Sequence, residues 1–240
     1  KDNESVKLQK REFVKNISSG GIRSIHHLPP KTLAKRAPIP LEDPPTDSSL
    51  LPVIDAMKQF DIKDPEFNTQ WHLINPSYPG NDVNVTHVWN KNITGKGIVA
   101  ALVDDGLDYE HEDLKENFNE AGSWDFNSNT KLPKPRLADD YHGTRCAGEI
   151  AAVKNEVCGL GVAYDSQVSG IRILSGPITI EDEAAALVYG LEHNDIYSCS
   201  WGPPDNGKAM QAPDLLVKKA LIRGVTEGRK GKGAVYVYAS

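Results

Sequence analysis

Two short stretches hold the residues that could do chemistry. VDDGLDYEHEDL, residues 103–114, places Asp104 and Asp105 where an apolar run gives way to a glycine turn. DDYHGTRCAGEIAA, residues 139–152, places His142 ahead of small residues that suit a closely packed helix. Either feature alone is ordinary, since Asp-Asp-Gly is a common turn and a helix-start histidine is more often a cap than a base. Together they supply two parts of a peptide-hydrolysing system. His142 would be the base that takes a nucleophile's proton, and Asp104 the carboxylate that fixes its tautomer and stabilises the imidazolium. The chain order is Asp, then His, with a serine expected later.

The same stretches are crowded with further acids. Asp105, Asp139 and Asp140 lie beside Asp104 and His142 in the sequence. Clustered carboxylates repel one another and raise one another's pKa, an arrangement a protein tolerates where a cation relieves it. A basic substrate is the expected source of that cation. The charge distribution agrees: the net charge is −6, but residues 1–36 carry nine Lys and Arg against three Asp and Glu, leaving 18 against 30 for the remainder. The basic segment should be attracted to the acidic body, and nucleic acid is a poor partner for that body.

These groups need a scaffold that brings distant positions together. IVAALV (98–103) is a short apolar run that ends at the Asp-Asp-Gly turn, as expected of a buried parallel strand. Val168 to Ile173, Ile196 to Ser200 and AVYVYAS (234–240) are further strands. Helices are expected from His142 to Ala152, from Ile180 to His193 with Thr179 as N-cap, and from Asp214 to Glu227. Strand and helix in regular succession imply an α/β fold, a doubly wound and mostly parallel sheet with helices on both faces. Functional groups belong at the carboxyl ends of its strands. Residues 28–53 are dense in proline and read as a linker.

With 240 residues, 39% of them hydrophobic, the chain can hold one good-sized core. No run approaches the roughly 18 apolar residues of a membrane-crossing helix, and the opening KDNESVKLQK lacks the apolar stretch of a secretory signal. Cys146, Cys158 and Cys199 are an odd number, so at least one thiol is unpaired within these residues. Asn-X-Ser/Thr acceptors at Asn16, Asn84 and Asn92 favour secretion. A phosphate-binding α/β domain is disfavoured because no glycine-rich phosphate loop follows a strand.

VDDGLDYEHEDL, DDYHGTRCAGEIAA, CGLGVAY, SGIRILSG and IYSCSWGPPDNG resemble the kexin family of yeast proprotein convertases and, more distantly, furin, from about Leu50 to Ser240. The resemblance implies a calcium-dependent, subtilisin-like serine endopeptidase that cleaves precursor proteins after Lys-Arg or Arg-Arg in the late Golgi lumen. It makes Asp104 and His142 the triad members and puts Asp105, Asp139 and Asp140 around the pocket for the residue before the scissile one. Glu183 falls near the pocket two residues further along the peptide, and Asp205 beside the pocket for the scissile residue. Ser200, Trp201 and Gly202 become an edge to which the substrate adds as a strand.

The resemblance also implies a calcium site of Asp64, Asp113 and Asn155 with the carbonyls of Ala152, Val157 and Gly159, and a second calcium at Asp205. It divides the chain into the end of a basic propeptide (1–36), a proline-rich linker (37–63) and the first part of the peptidase domain (64–240). Self-cleavage is expected after Lys35 and Arg36, the propeptide then acting as inhibitor. Cys146 is expected to be unpaired, and Cys158 to pair with a cysteine after Ser240. The nucleophilic serine, the oxyanion-hole asparagine and any membrane anchor are also expected after Ser240, which would leave these 240 residues inert alone. A non-catalytic protein of the same fold that captures basic peptides is the alternative.

Overall fold

Val99–Asp104 (β2) is buried at all six positions, as a strand with both neighbours and both faces covered must be. It lies at the centre of a five-stranded parallel sheet in a computed structural model that describes residues 33–35, 50–204, 206, 208 and 210–239. Its sheet partners are Trp124–Asp125 (β3), Gln167–Arg172 (β4), Ile196–Cys199 (β5) and Val235–Tyr238 (β7), in the order β3-β4-β2-β5-β7. Ala34–Lys35 (β1) and Trp201–Gly202 (β6) form a separate two-stranded antiparallel ladder.

Alternation along β2 divides the core. Ala101 and Val103 pack with Ile171, Ile180, Ala184, Val217 and Ala220, hence with the helices Ile180–Ala186 (α4) and Leu215–Gly231 (α5). Ala100 and Leu102 face the other way, onto Ala147 and Ala151 of the helix His142–Ala151 (α3). The sheet is therefore covered on both faces, and its parallel strands end on one side, where Asp104, Arg172 and Cys199 stand.

Two features differ from the sequence reading. The helix expected to reach His193 ends at Ala186 after a Thr179–Asp182 capping box. The chain then folds into turns through Gly190, at φ 64°, and the Tyr189 carbonyl accepts from the Asn194 amide and the Tyr197 hydroxyl. Those bonds replace the helical ladder. In α5 the backbone leaves helical angles at Gly228, Arg229 and Lys230, so the regular part closes at Glu227 as expected.

The second difference concerns the linker. Its residues 36–49 lie outside those described, but its last part is the helix Leu51–Phe60 (α1). Pro52 sits in the first turn, where no intrahelical bond is lost, so a proline that looked like linker in fact opens a helix. Val53 and Ala56 are buried with Phe67, Leu160, Tyr164 and Trp89 of the short helix Thr86–Trp89 (α2), which makes α1 part of the main body.

Candidate active site

Because Asp104 ends β2 and His142 begins α3, two segments 38 residues apart meet at one point. His142 Nδ1 lies 2.9 Å from both Asp104 carboxylate oxygens, and Asp104 Oδ1 also accepts the Asp105 amide at 2.7 Å. Both residues are almost fully buried. Burial pushes the Asp104 carboxyl above its ordinary value, while the His142 imidazole pulls it back. This is the geometry of a carboxylate that orients an imidazole through Nδ1.

Cys146 lies one turn further along α3, its sulfur 3.9 Å from each imidazole nitrogen. A point equidistant from both nitrogens is off the lone-pair axis of either, so the thiol is not placed as a nucleophile for this base. Cys146 and Cys199 are both unpaired, Cys199 being buried, and Cys158 is an exposed free thiol among the described residues.

Asp105 meets the backbone of the same helix start, not the imidazole. Its Oδ1 accepts the Gly143 amide at 2.7 Å and its Oδ2 the His142 amide at 3.0 Å. Lys35 reaches the same Oδ2 at 2.6 Å and donates to the Asp139 carbonyl at 3.0 Å. Partial burial pulls the Lys35 ammonium down, but the hydrogen bond and charge of Asp105, then Asp140 and Asp139, outweigh it and raise its pKa. Stability from this contact is thus fully present below pH about 10.4 and lost only as pH rises through the raised value.

The three acids expected around one pocket therefore differ in kind. Asp105 meets the ammonium directly, Asp139 is exposed and offers its backbone carbonyl, and Asp140 acts from a distance. The Asp140 carboxylate is already engaged: its Oδ2 accepts the Arg136 and Leu137 amides at 3.0 Å and Arg172 Nη2 at 2.9 Å. Burial pushes Asp140 up, yet the Ser175 hydroxyl, these amides and Arg172 hold it at about 2.

Arg172 was not singled out by sequence reasoning. Its guanidinium is buried, binds Asp125 at 3.0 Å and Asp140 at 2.9 Å, and donates through Nε to the Asp105 carbonyl at 3.0 Å. The signal was a basic residue inside the apolar run SGIRIL, since a buried charge requires partners. Arg172→Met should cost about 3–5 kcal/mol by taking the guanidinium from two buried carboxylates, Asp125 and Asp140, measured as a lowered urea midpoint. An unchanged midpoint would show the network to be dispensable.

Along the cleft, β1 pairs with β6 so that Ala34 faces Gly202 and Lys35 faces Trp201. Ser200 lies just outside that ladder. Trp201 serves two ends: its backbone holds the added strand, while its buried indole donates to the Val103 carbonyl at 2.6 Å. Glu183, in the first turn of α4, is buried and not a solvated surface acid. After burial itself, its charge is among the causes that raise the Tyr238 hydroxyl and the Cys199 thiol. Arg36 and Asp205 lie outside the described residues.

The family model described as the subtilase family (Peptidase_S8) matches residues 95–240, from just before β2 to beyond β7. The chain belongs to the subtilase family. This subtilase is 66% identical over 233 residues to the protease KEX1 of Kluyveromyces lactis, covering 97% of the chain and 30% of that protein. It is 62% identical to the kexin of Saccharomyces cerevisiae, covering 99% of the chain and 30% of that protein. The chain thus spans about 30% of the length of these relatives. Among solved structures, the serine protease of Aeromonas sobria superposes with a TM-score of 0.63 at 27% identity, over 73% of this chain and 32% of that one.

Subtilisin-like proteases commonly bind calcium. The residues at the expected site fit such an ion. Asp64 is completely buried and its Oδ2 has no hydrogen-bond partner among the described residues. Burial raises its pKa, backbone amides oppose this, and the charge of Asp113 raises it further. Asn155 bridges the two acids, its amide nitrogen donating to Asp64 at 3.2 Å and Nδ2 to Asp113 at 2.8 Å. Two repelling buried carboxylates, one with an open oxygen, suit a hard cation.

Proposed function

We propose that this chain carries the acid–base half of a serine endopeptidase that cleaves precursor proteins after paired basic residues, and that Lys35-Arg36 is its own first cleavage site. The observation that carries the reading is the β1–β6 ladder with Lys35 on Asp105. An extended segment adds to a sheet edge, its backbone held by Trp201 and Gly202, and its basic side chain meets the carboxylate next to Asp104. A substrate would lie the same way, with the scissile residue one position beyond the one facing Trp201.

In that pose His142 Nε2 takes the proton of a serine expected later in the chain, and the serine oxygen attacks the carbonyl. His142 then returns the proton to the leaving amine, while Asp104 holds Nδ1–H and stabilises the imidazolium. Hydrolysis of the Arg36–Ala37 bond would leave the segment ending at Arg36 in the cleft as a product-like inhibitor. Asp205 and Glu183 would complete recognition of basic side chains. Calcium held by Asp64, Asp113, Asn155 and the carbonyls of Ala152, Val157 and Gly159 would tie the loop after α3 to the region before β2; a second ion at Asp205 belongs to the same reading. Late Golgi lumen is the proposed location, in keeping with the exposed glycosylation acceptors Asn84 and Asn92 and the kexin relatives.

The test is hydrolysis of fluorogenic Lys-Arg and Ala-Arg peptides by the full-length protein. Losing one partner of a desolvated charge pair costs about 2–5 kcal/mol, so Lys-Arg should be preferred by about 30-fold or more in kcat/KM. Equal rates would remove the pocket assignment. Binding of both peptides without cleavage of either would favour the non-catalytic alternative.

A further inference from the structure

One carboxylate oxygen serves two masters. Asp105 Oδ2 takes the Lys35 ammonium at 2.6 Å and the backbone N–H of His142 at 3.0 Å, while Oδ1 takes the N–H of Gly143 at 2.7 Å. The first N–H groups of a helix have no partner inside it, and Tyr141, at the N-cap of α3, supplies no side-chain cap. Asp105, from another strand end, supplies it instead.

We propose that Asp105 is a positioning residue for His142, so that the pocket for the penultimate basic residue and the geometry of the base are joined through one side chain. The inference rests on the serine-protease reading above. Asp105 has no freedom to serve the pocket alone. Its amide is held by Asp104 Oδ1 at 2.7 Å, and its carbonyl by Arg172 Nε at 3.0 Å and the Ser175 hydroxyl at 2.9 Å. The helix start is pressed onto it. A Cβ on Gly143 would strike the Gly106 carbonyl and stand 3.0 Å from Asp105 Oδ1, so only glycine lets the amides come this close. A cation entering the pocket is bound by the group that fixes the His142 backbone, and losing that group frees the helix start to shift. A displacement of about 1 Å at a catalytic group can cost about 10²-fold in rate.

The experiment separates the two roles of the carboxylate in the full-length protein. Asp105→Asn and Asp105→Ala both remove the charge that a basic residue needs, but asparagine keeps one acceptor for the helix start and alanine keeps none. The Ala-Arg peptide offers the pocket no cation, so its kcat, per titrated active site, reads positioning alone. The expected result is a kcat for D105A at least about tenfold below that of D105N on Ala-Arg, with KM values within about threefold of each other. A role in the pocket alone makes the two variants equal on both peptides, and that outcome overturns the inference while leaving the protease reading intact. Wild-type protein that cleaves neither peptide overturns both. If D105A yields no titratable sites, D105S takes its place. Its shorter side chain cannot span both amides, and its kcat should again fall at least about tenfold below D105N.

Discussion

His142→Ala should lower kcat of the full-length protein on a Lys-Arg peptide by about 10⁶-fold, and Asp104→Ala by about 10⁴-fold. These are the magnitudes known for the corresponding groups of subtilisin, a member of the same family. The inequality follows from the geometry. In the proposed mechanism His142 moves the proton itself, whereas Asp104 acts through His142 Nδ1 from 2.9 Å and leaves the base in place when removed. Both variants should still bind basic peptides, because the Lys35 ammonium is held by Asp105 and the Asp139 carbonyl, not by Asp104 or His142. Initial rates with matched active-site mutants, and peptide binding by fluorescence anisotropy, give the two readouts. Retention of more than about 1% of wild-type kcat by H142A would mean that another group is the base.

The ease with which this site was read from sequence varies residue by residue. Asp104 and His142 were legible because each stands where a local pattern ends: an apolar β2 run closing at Asp-Asp-Gly, and a small-residue helix opening at His142. Period and capping report such boundaries directly. Thr179 was legible for the same reason, its capping box being local. The end of the following helix was not, since the Tyr189 carbonyl just beyond it is taken by the Asn194 side-chain amide and the Tyr197 hydroxyl, partners set by the tertiary fold.

Pro52 misled because proline marks a linker and a helical first turn with the same letter. Arg172 and the double duty of Asp105 depend on contacts 32 to 70 residues away in the chain, which no local pattern encodes. The calcium ligands are of the same kind. Asp64 and Asn155 are 91 positions apart, and without the family resemblance nothing in their spacing joins them.

Chelating calcium should lower the thermal midpoint of the protein by about 5–15 °C, the effect of losing an ion held at about 100 to 1,000 times its dissociation constant. The buried Asp64 is the reason. Without a cation its folded pKa lies above the ordinary value, chiefly through burial and, beyond its amide contacts, the charge of Asp113. Its contribution to stability is then fully present below the unfolded pKa of about 3.9 and is lost as pH rises through the raised folded value. A bound cation would cancel that loss at neutral pH, so the chelator's effect should shrink as pH falls towards 4. Protons should also begin to compete with calcium at a higher pH than an ordinary carboxylate would allow. Asp64→Asn sharpens the test, because it removes the repulsion and the ligand charge together. It should melt lower than wild type in calcium but at or above wild type in chelator. Parallel lowering in both buffers would mean that Asp64 is a structural acid with no part in holding an ion.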